Sequence, residues 1–97
     1  MKEINSKKIL EKLVSFDSTS SKSNIDLIMY IKNYLEKYNL KSDVIFNENK
    51  TKANLHSRIG PSQKQGIVLS GHTDVGPVEG QIWDTNPFEL TSNSERL

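Results

Sequence analysis

The hydrophobic pattern of this chain changes period once, near residue 41, and that change limits the fold more than any other feature. Before it, Ile9, Leu10, Leu13 and Val14 fall on one helical face while Lys7, Lys8, Glu11 and Lys12 fall on the other, which predicts an amphipathic helix within residues 4–16. The polar run Asp17-Ser18-Thr19-Ser20-Ser21-Lys22-Ser23 ends it, because short hydroxyl and carboxylate side chains compete for backbone hydrogen bonds. Asn24 is placed to cap a second helix over about 25–38, whose stripe is Ile25, Ile28, Ile31, Leu35 and Tyr38, widened by Met29 and Tyr34. Asn39 followed by Leu40 fits a left-handed helix stop. From residue 42 the period is two. Val44 and Phe46 alternate with Asp43 and Ile45, Asn47–Lys50 is a polar turn, and Ala53, Leu55, Ser57 and Ile59 share a face opposite Asn54, His56 and Arg58, the pattern of a hairpin with its second strand near 52–59. The unbroken run Ile67-Val68-Leu69 reads as a strand covered on both faces, so residues 67–71 are the expected central strand. Gly71, Gly76, Pro77, Gly80 and Pro87 then punctuate an irregular segment up to a short extended stretch at Phe88-Glu89-Leu90. The expected fold class is α/β, two N-terminal helices packed on a small mixed β-sheet.

Composition narrows the function classes. Leu, Ile, Val and Phe make 26 of the 97 residues, above the roughly one fifth below which disorder is the default, so the chain should fold around a thin core. A formal net charge of +1, with lysines interleaved among acidic residues, gives no nucleic-acid footprint. There is no cysteine, which excludes disulfides, thiolate nucleophiles and Cys-type zinc sites. Met1–Lys8 has no apolar leader and no stretch reaches the roughly 18 apolar residues of a membrane span. The expectation is a cytoplasmic protein without a membrane or nucleic-acid partner.

Chemistry concentrates in Leu69-Ser70-Gly71-His72-Thr73-Asp74-Val75. A histidine just past the carboxyl end of a buried strand stands where open α/β sheets present their sites. Asp74, two residues on, can accept the proton of one ring nitrogen of His72, fixing the tautomer and strengthening the imidazole as a metal donor. The same three residues also suit a polar turn with an exposed histidine and a capping aspartate.

The longer string Ser70-Gly71-His72-Thr73-Asp74-Val75-Gly76-Pro77-Val78, with Gln81, Trp83 and Pro87-Phe88-Glu89-Leu90 after it, resembles the N-terminal catalytic-domain segment of the zinc aminoacylases and deacetylases, a family of co-catalytic metallohydrolases. Asn54–Pro61 is similar to the strand and Gly-Pro turn that precede the motif there, and Asp17–Ser20 with Asn24 to the loop between the first two helices, so the resemblance spans about residues 8–97. It implies that residues 1–97 are the first part of a zinc-peptidase-like catalytic domain, with His72 a ligand to one of two zinc (or cobalt) ions and Asp74 the carboxylate that orients it. The implied substrate is a small N-acyl amino acid: N-acetylornithine, in arginine biosynthesis, by the Pro77–Gln81 continuation, with N-succinyl-diaminopimelate as the sibling choice. Gly76 departs from the family, which usually has a second valine there, and the expected consequence is a looser turn behind the ligand. The family's bridging aspartate, general-base glutamate, further ligands and dimerisation domain correspond to positions beyond Leu97. The 97 residues alone are therefore expected to bind neither metal tightly and to be inactive, whether as an N-terminal fragment, a non-enzymatic remnant or a subunit of a split enzyme; in the family the enzyme is a homodimer. Substrate-binding residues are not assigned.

Other candidates have plainer readings. His56 is expected to be solvated or at a core edge rather than a ligand, Trp83 and Phe88 to cover a core edge, with lining of a substrate cleft as the lesser reading, Glu79, Asp84 and Glu89 to be solvated charges, and Tyr30, Tyr34 and Tyr38 to be a packing ladder at i, i+4.

Overall fold

The structure, a computed structural model, describes residues 4–97. The reading of Met1–Lys8 as free of an apolar leader therefore falls in part outside the described residues. Two helices, α1 (Ser6–Val14) and α2 (Ile25–Glu36), precede a hairpin of β1 (Ser42–Phe46) and β2 (Ala53–Ser57), an α/β arrangement. Among the described residues no helix is long and apolar enough to cross a membrane.

Each element begins and ends where local chemistry dictates. The Asn5 side-chain oxygen accepts from the Lys8 N–H at 3.1 Å, capping α1. α2 ends in a left-handed Asn39 (φ 60°), with Asn39 N–H bonded to the Glu36 carbonyl and Leu40 N–H reaching back to that of Leu35, the two bonds of a Schellman stop. The hairpin is antiparallel with Val44 opposite Leu55 and Phe46 opposite Ala53. Its turn is organised by Asn47, whose side-chain oxygen accepts from the N–H groups of Thr51 and Lys52 at 2.9 and 3.0 Å.

Leu27 and Ile28 of α2 meet Ala53 of β2 to form the buried core, and Leu13, Phe16, Ile25, Ile31, Val44 and Leu55 pack around it. As expected, Ala53, Leu55 and Ser57 turn inward while Asn54 and His56 face solvent. Tyr30, Tyr34 and Tyr38 stack along α2 at 6.5 and 5.4 Å between ring centroids, and Phe16 extends the row to Tyr30 at 5.6 Å. The Lys12 ammonium lies 5.2 Å from the Phe16 ring, a cation–π contact. Tyr38 holds the Tyr34 hydroxyl proton above the usual tyrosine range through their hydrogen bond.

Four expectations change. Asn24 occupies the N-cap position of α2 but makes no capping bond with its side chain. Its amide instead accepts from the Ala53 N–H and donates to the Ala53 carbonyl, both at 2.9 Å, pinning the start of α2 to the edge of β2 that β1 leaves free. Residues 67–71 form no strand: Ile67, Val68 and Leu69 are 92, 88 and 93% exposed. An apolar run becomes a strand only when another strand pairs it and a layer covers it, and the described residues supply neither. The named strands make an antiparallel pair, and the parallel component of the expected mixed sheet is confined to a single bridge, Thr19 with Val75. Phe88-Glu89 is a turn rather than an extended stretch, because the Asn86 side chain accepts from the Phe88 N–H at 2.9 Å and the Asn86 carbonyl from the Glu89 N–H.

Candidate functional site

The segment carrying His72 is held from the loop that follows α1. Within that loop Asp17 accepts from the Thr19 N–H and hydroxyl at 3.2 and 2.5 Å and pairs with the Lys22 ammonium at 2.5 Å. Lys22, and then Thr19, lower the Asp17 pKa to about 2, and Asp17 in turn raises that of Lys22. Lys52, at the hairpin turn, donates to the carbonyls of Ser20 and Lys22 and so ties the loop to β2.

Ser18 and Thr19 are buried, 4 and 5% exposed. Val75 N–H bonds to the Ser18 carbonyl at 3.2 Å and Ser20 N–H to the Val75 carbonyl at 3.0 Å. The Ser18 hydroxyl donates to the Thr73 carbonyl at 2.6 Å. These contacts fix the backbone on both sides of Asp74. The anchoring that was expected from a buried strand thus comes from a polar loop.

His72 Nδ1 lies 3.1 Å from Asp74 Oδ1 and 3.2 Å from the Asp74 carbonyl oxygen. Both neighbours are acceptors, so a neutral ring held this way carries its proton on Nδ1 and keeps the lone pair of Nε2 free. The imidazole is 86% exposed and stands at the common rim of two cavities. One, of about 570 Å³, is walled by apolar groups including Leu10, Leu13 and Phe16 from the α1 side and Val75, Trp83 and Phe88 from the far side. The other, of about 680 Å³, lies between β2 and residues 70–74.

Trp83 and Phe88, expected at a core edge, line the apolar cavity; the Trp83 indole N–H is anchored on the Val78 carbonyl at 3.1 Å. His56, Glu79, Asp84 and Glu89 are exposed. A Cβ at Gly76 would meet nothing within 4 Å, and Gly76 has no positive φ, so this position does not require glycine.

An imidazole with one nitrogen held by a carboxylate and the other free fits one ligand position of a zinc site. It does not make a whole one, which needs three or four protein donors, and the described residues hold no group of three histidine or carboxylate side chains that could enclose an ion. Ser18, Thr19, Asn24 and Lys52 build the site, a role that sequence patterns did not assign to them. Ser18 and Thr19 stood in a short polar run whose hydroxyls could be either solvated or buried, Asn24 suited a helix cap, and Lys52 carried no signal.

Sequence comparison relates the chain to known hydrolases. It is 32% identical over 96 residues to an acetylornithine deacetylase of Buchnera aphidicola subsp. Schizaphis graminum, covering 93% of this chain and 25% of the relative. It is 35% identical over 80 residues to a probable succinyl-diaminopimelate desuccinylase of Staphylococcus aureus, covering 81% and 19%, and 35% identical over 84 residues to an acetylornithine deacetylase of Pasteurella multocida, covering 86% and 22%. The chain thus spans about a quarter or less of the length of the curated relatives it matches. No family model matches the sequence, and no solved structure matches it.

Proposed function

We propose, for a chain homologous along most of its length to a segment of the acetylornithine deacetylase and succinyl-diaminopimelate desuccinylase family, that residues 1–97 are the first part of a metal-dependent amidohydrolase catalytic domain. The whole enzyme would cleave the amide of a small N-acyl amino acid in the cytoplasm, with N-acetylornithine the first candidate and N-succinyl-diaminopimelate the second. His72 would give one ligand, through Nε2, to a zinc or cobalt ion, and Asp74 would hold the imidazole proton on Nδ1. The remaining donors would come from outside these residues, so the 97-residue chain alone would turn over nothing. Metal in such a site supplies Lewis-acid activation of the amide; the residues described here orient one ligand and wall an apolar cavity beside it.

The observation that carries this reading is the pair of acceptors on His72 Nδ1, which leaves Nε2 as the free nitrogen. The test is to exchange the matching segment of the Pasteurella multocida acetylornithine deacetylase for these 97 residues and assay both substrates with Zn²⁺ or Co²⁺. Metal-dependent deacetylation of N-acetylornithine is expected. Preference for the succinyl substrate would move the assignment to the desuccinylase, and a folded chimera inactive on both would overturn the reading.

A further inference from the structure

We infer that Ser18 is the positioning residue for His72 and Asp74, acting through its hydroxyl as an extra rung on a two-bond ladder. The inference rests on the reading of His72 as a ligand, but its geometry stands apart from that reading.

The Thr19–Val75 bridge is parallel, and its backbone bonds join Ser18 and Ser20 to the two polar groups of Val75. One bridge holds one residue and leaves the chain before it free to rotate. The next acceptor on the same edge is the Thr73 carbonyl, and here the ladder has no backbone donor to offer. The Ser18 side chain fills that place at 2.6 Å. With Thr73 and Val75 both tied to one neighbour, the torsions on either side of Asp74 are fixed. Residues two apart on an extended backbone project to the same side, and it is this that brings the His72 ring to the Asp74 carboxylate at 3.1 Å.

Nothing else could do so from the His72 side. No strand leads directly into it, since residues 58–72 are irregular, and Ile67, Val68 and Leu69 are almost fully exposed. Ser18 itself is 4% exposed, and a polar side chain so deeply buried is kept by its partner. The loop is braced on both flanks, by Asp17 with Lys22 and by Lys52 on the Ser20 and Lys22 carbonyls, so it can hold position while the 73–75 segment leans on it. Thr at this position retains the hydroxyl; Ala removes only the Oγ.

The experiment uses the full 97-residue chain, ¹⁵N-labelled, at about pH 8.5, where an ordinary imidazole is neutral. Two signals are read in wild type, Ser18→Ala and Ser18→Thr: the ring-nitrogen shifts of His72, which report which nitrogen carries the proton, and amide exchange at Val75. The Ile28 amide, bonded to the Asn24 carbonyl, and the Asn54 amide, which faces Ile45 across the hairpin, report whether the helix and the hairpin are intact. In wild type, His72 is expected in the Nδ1–H form with Val75 protected. In S18A, with Ile28 and Asn54 still protected, Val75 exchange should rise at least about tenfold and His72 should revert toward the Nε2–H form that free imidazole side chains favour; S18T should restore both signals. An S18A chain with unchanged His72 and Val75 signals overturns the inference, and so does a wild type whose Val75 exchanges as in an unstructured peptide. If S18A loses Ile28 and Asn54 protection as well, S18T decides: wild-type His72 and Val75 signals uphold the hydroxyl's role, and their loss overturns it. Neither signal involves metal or substrate. An active chimera insensitive to loss of His72 would instead overturn the functional reading and leave the Ser18 role standing.

Discussion

Residues 5–57 and residues 58–97 are similar in Leu, Ile, Val and Phe content, 15 of 53 and 10 of 40, yet only the first stretch forms helices and strands. The difference lies in where each finds its partners. α1, α2 and the hairpin satisfy their backbone groups within themselves or with the next element, and their apolar faces meet around Leu27, Ile28 and Ala53. The second stretch contains the most strand-like triplet in the sequence, Ile67-Val68-Leu69, standing almost fully exposed. A strand is a relation between segments, and pattern alone does not supply the other one. The place where the second stretch is held to the first by backbone bonds, at Val75, with the Ser18 hydroxyl on the Thr73 carbonyl beside it, is also the place where its chemistry sits.

Truncating the two regions should separate them most sharply. Ile28→Ala removes a buried side chain, with an expected cost of about 2–5 kcal/mol, whereas Leu69→Ala should change stability by less than about 0.5 kcal/mol; urea denaturation followed by far-UV circular dichroism compares them. Equal losses would mean that residues 67–69 are packed after all. Asn24→Ala leaves both polar groups of Ala53 without their partner and is expected to cost about 1–3 kcal/mol, read as a lower Tm; a loss no larger than that of an exposed surface substitution would show that the α2 to β2 link carries no stability.

The junction itself should respond to acid. The folded chain holds the Asp17 pKa at about 2, below the roughly 3.9 of a free aspartate. A depressed carboxylate stabilises fully above its unfolded pKa, so the Asp17 contribution should be intact above about pH 4 and fall away between about pH 4 and pH 2. Val75 amide protection should follow that window in wild type and lose the corresponding slope in Asp17→Asn. A small gain is expected at Gly76→Val. The open space there and the reduced freedom of the unfolded chain should raise stability by about 0.4–1 kcal/mol, visible as a modest rise in Tm; a fall would show that the turn does need glycine.

The helices, the hairpin and their stops were legible because local rules settle them: the spacing of Ile25, Ile28 and Ile31, the alternation of Val44 and Leu55, and a left-handed Asn39. The His72 to Asp74 contact was legible for the same reason, since two residues on an extended backbone are enough to define it. Ser18 was not, because its partner Thr73 is 55 positions away and a hydroxyl gives no periodic signal. Asn24 suited a helix cap equally well, and only the register of β2 shows that the Ala53 backbone captures its amide. The strand expected at 67–71 fails in the converse way: a strong local pattern whose outcome depends on what lies beside it.

The central claim concerns His72, and the chain contains one other histidine, His56, on the solvent face of β2. Metal content per active site, measured in the chimeric enzyme after dialysis at neutral pH, compares His72→Ala with His56→Ala directly. The expected result is that H72A loses tightly held metal, with N-acetylornithine hydrolysis reduced by more than the roughly 10–100-fold typical of losing an orienting partner, while H56A matches the parent. Parental metal content and activity in H72A would contradict the assignment of His72 as a ligand.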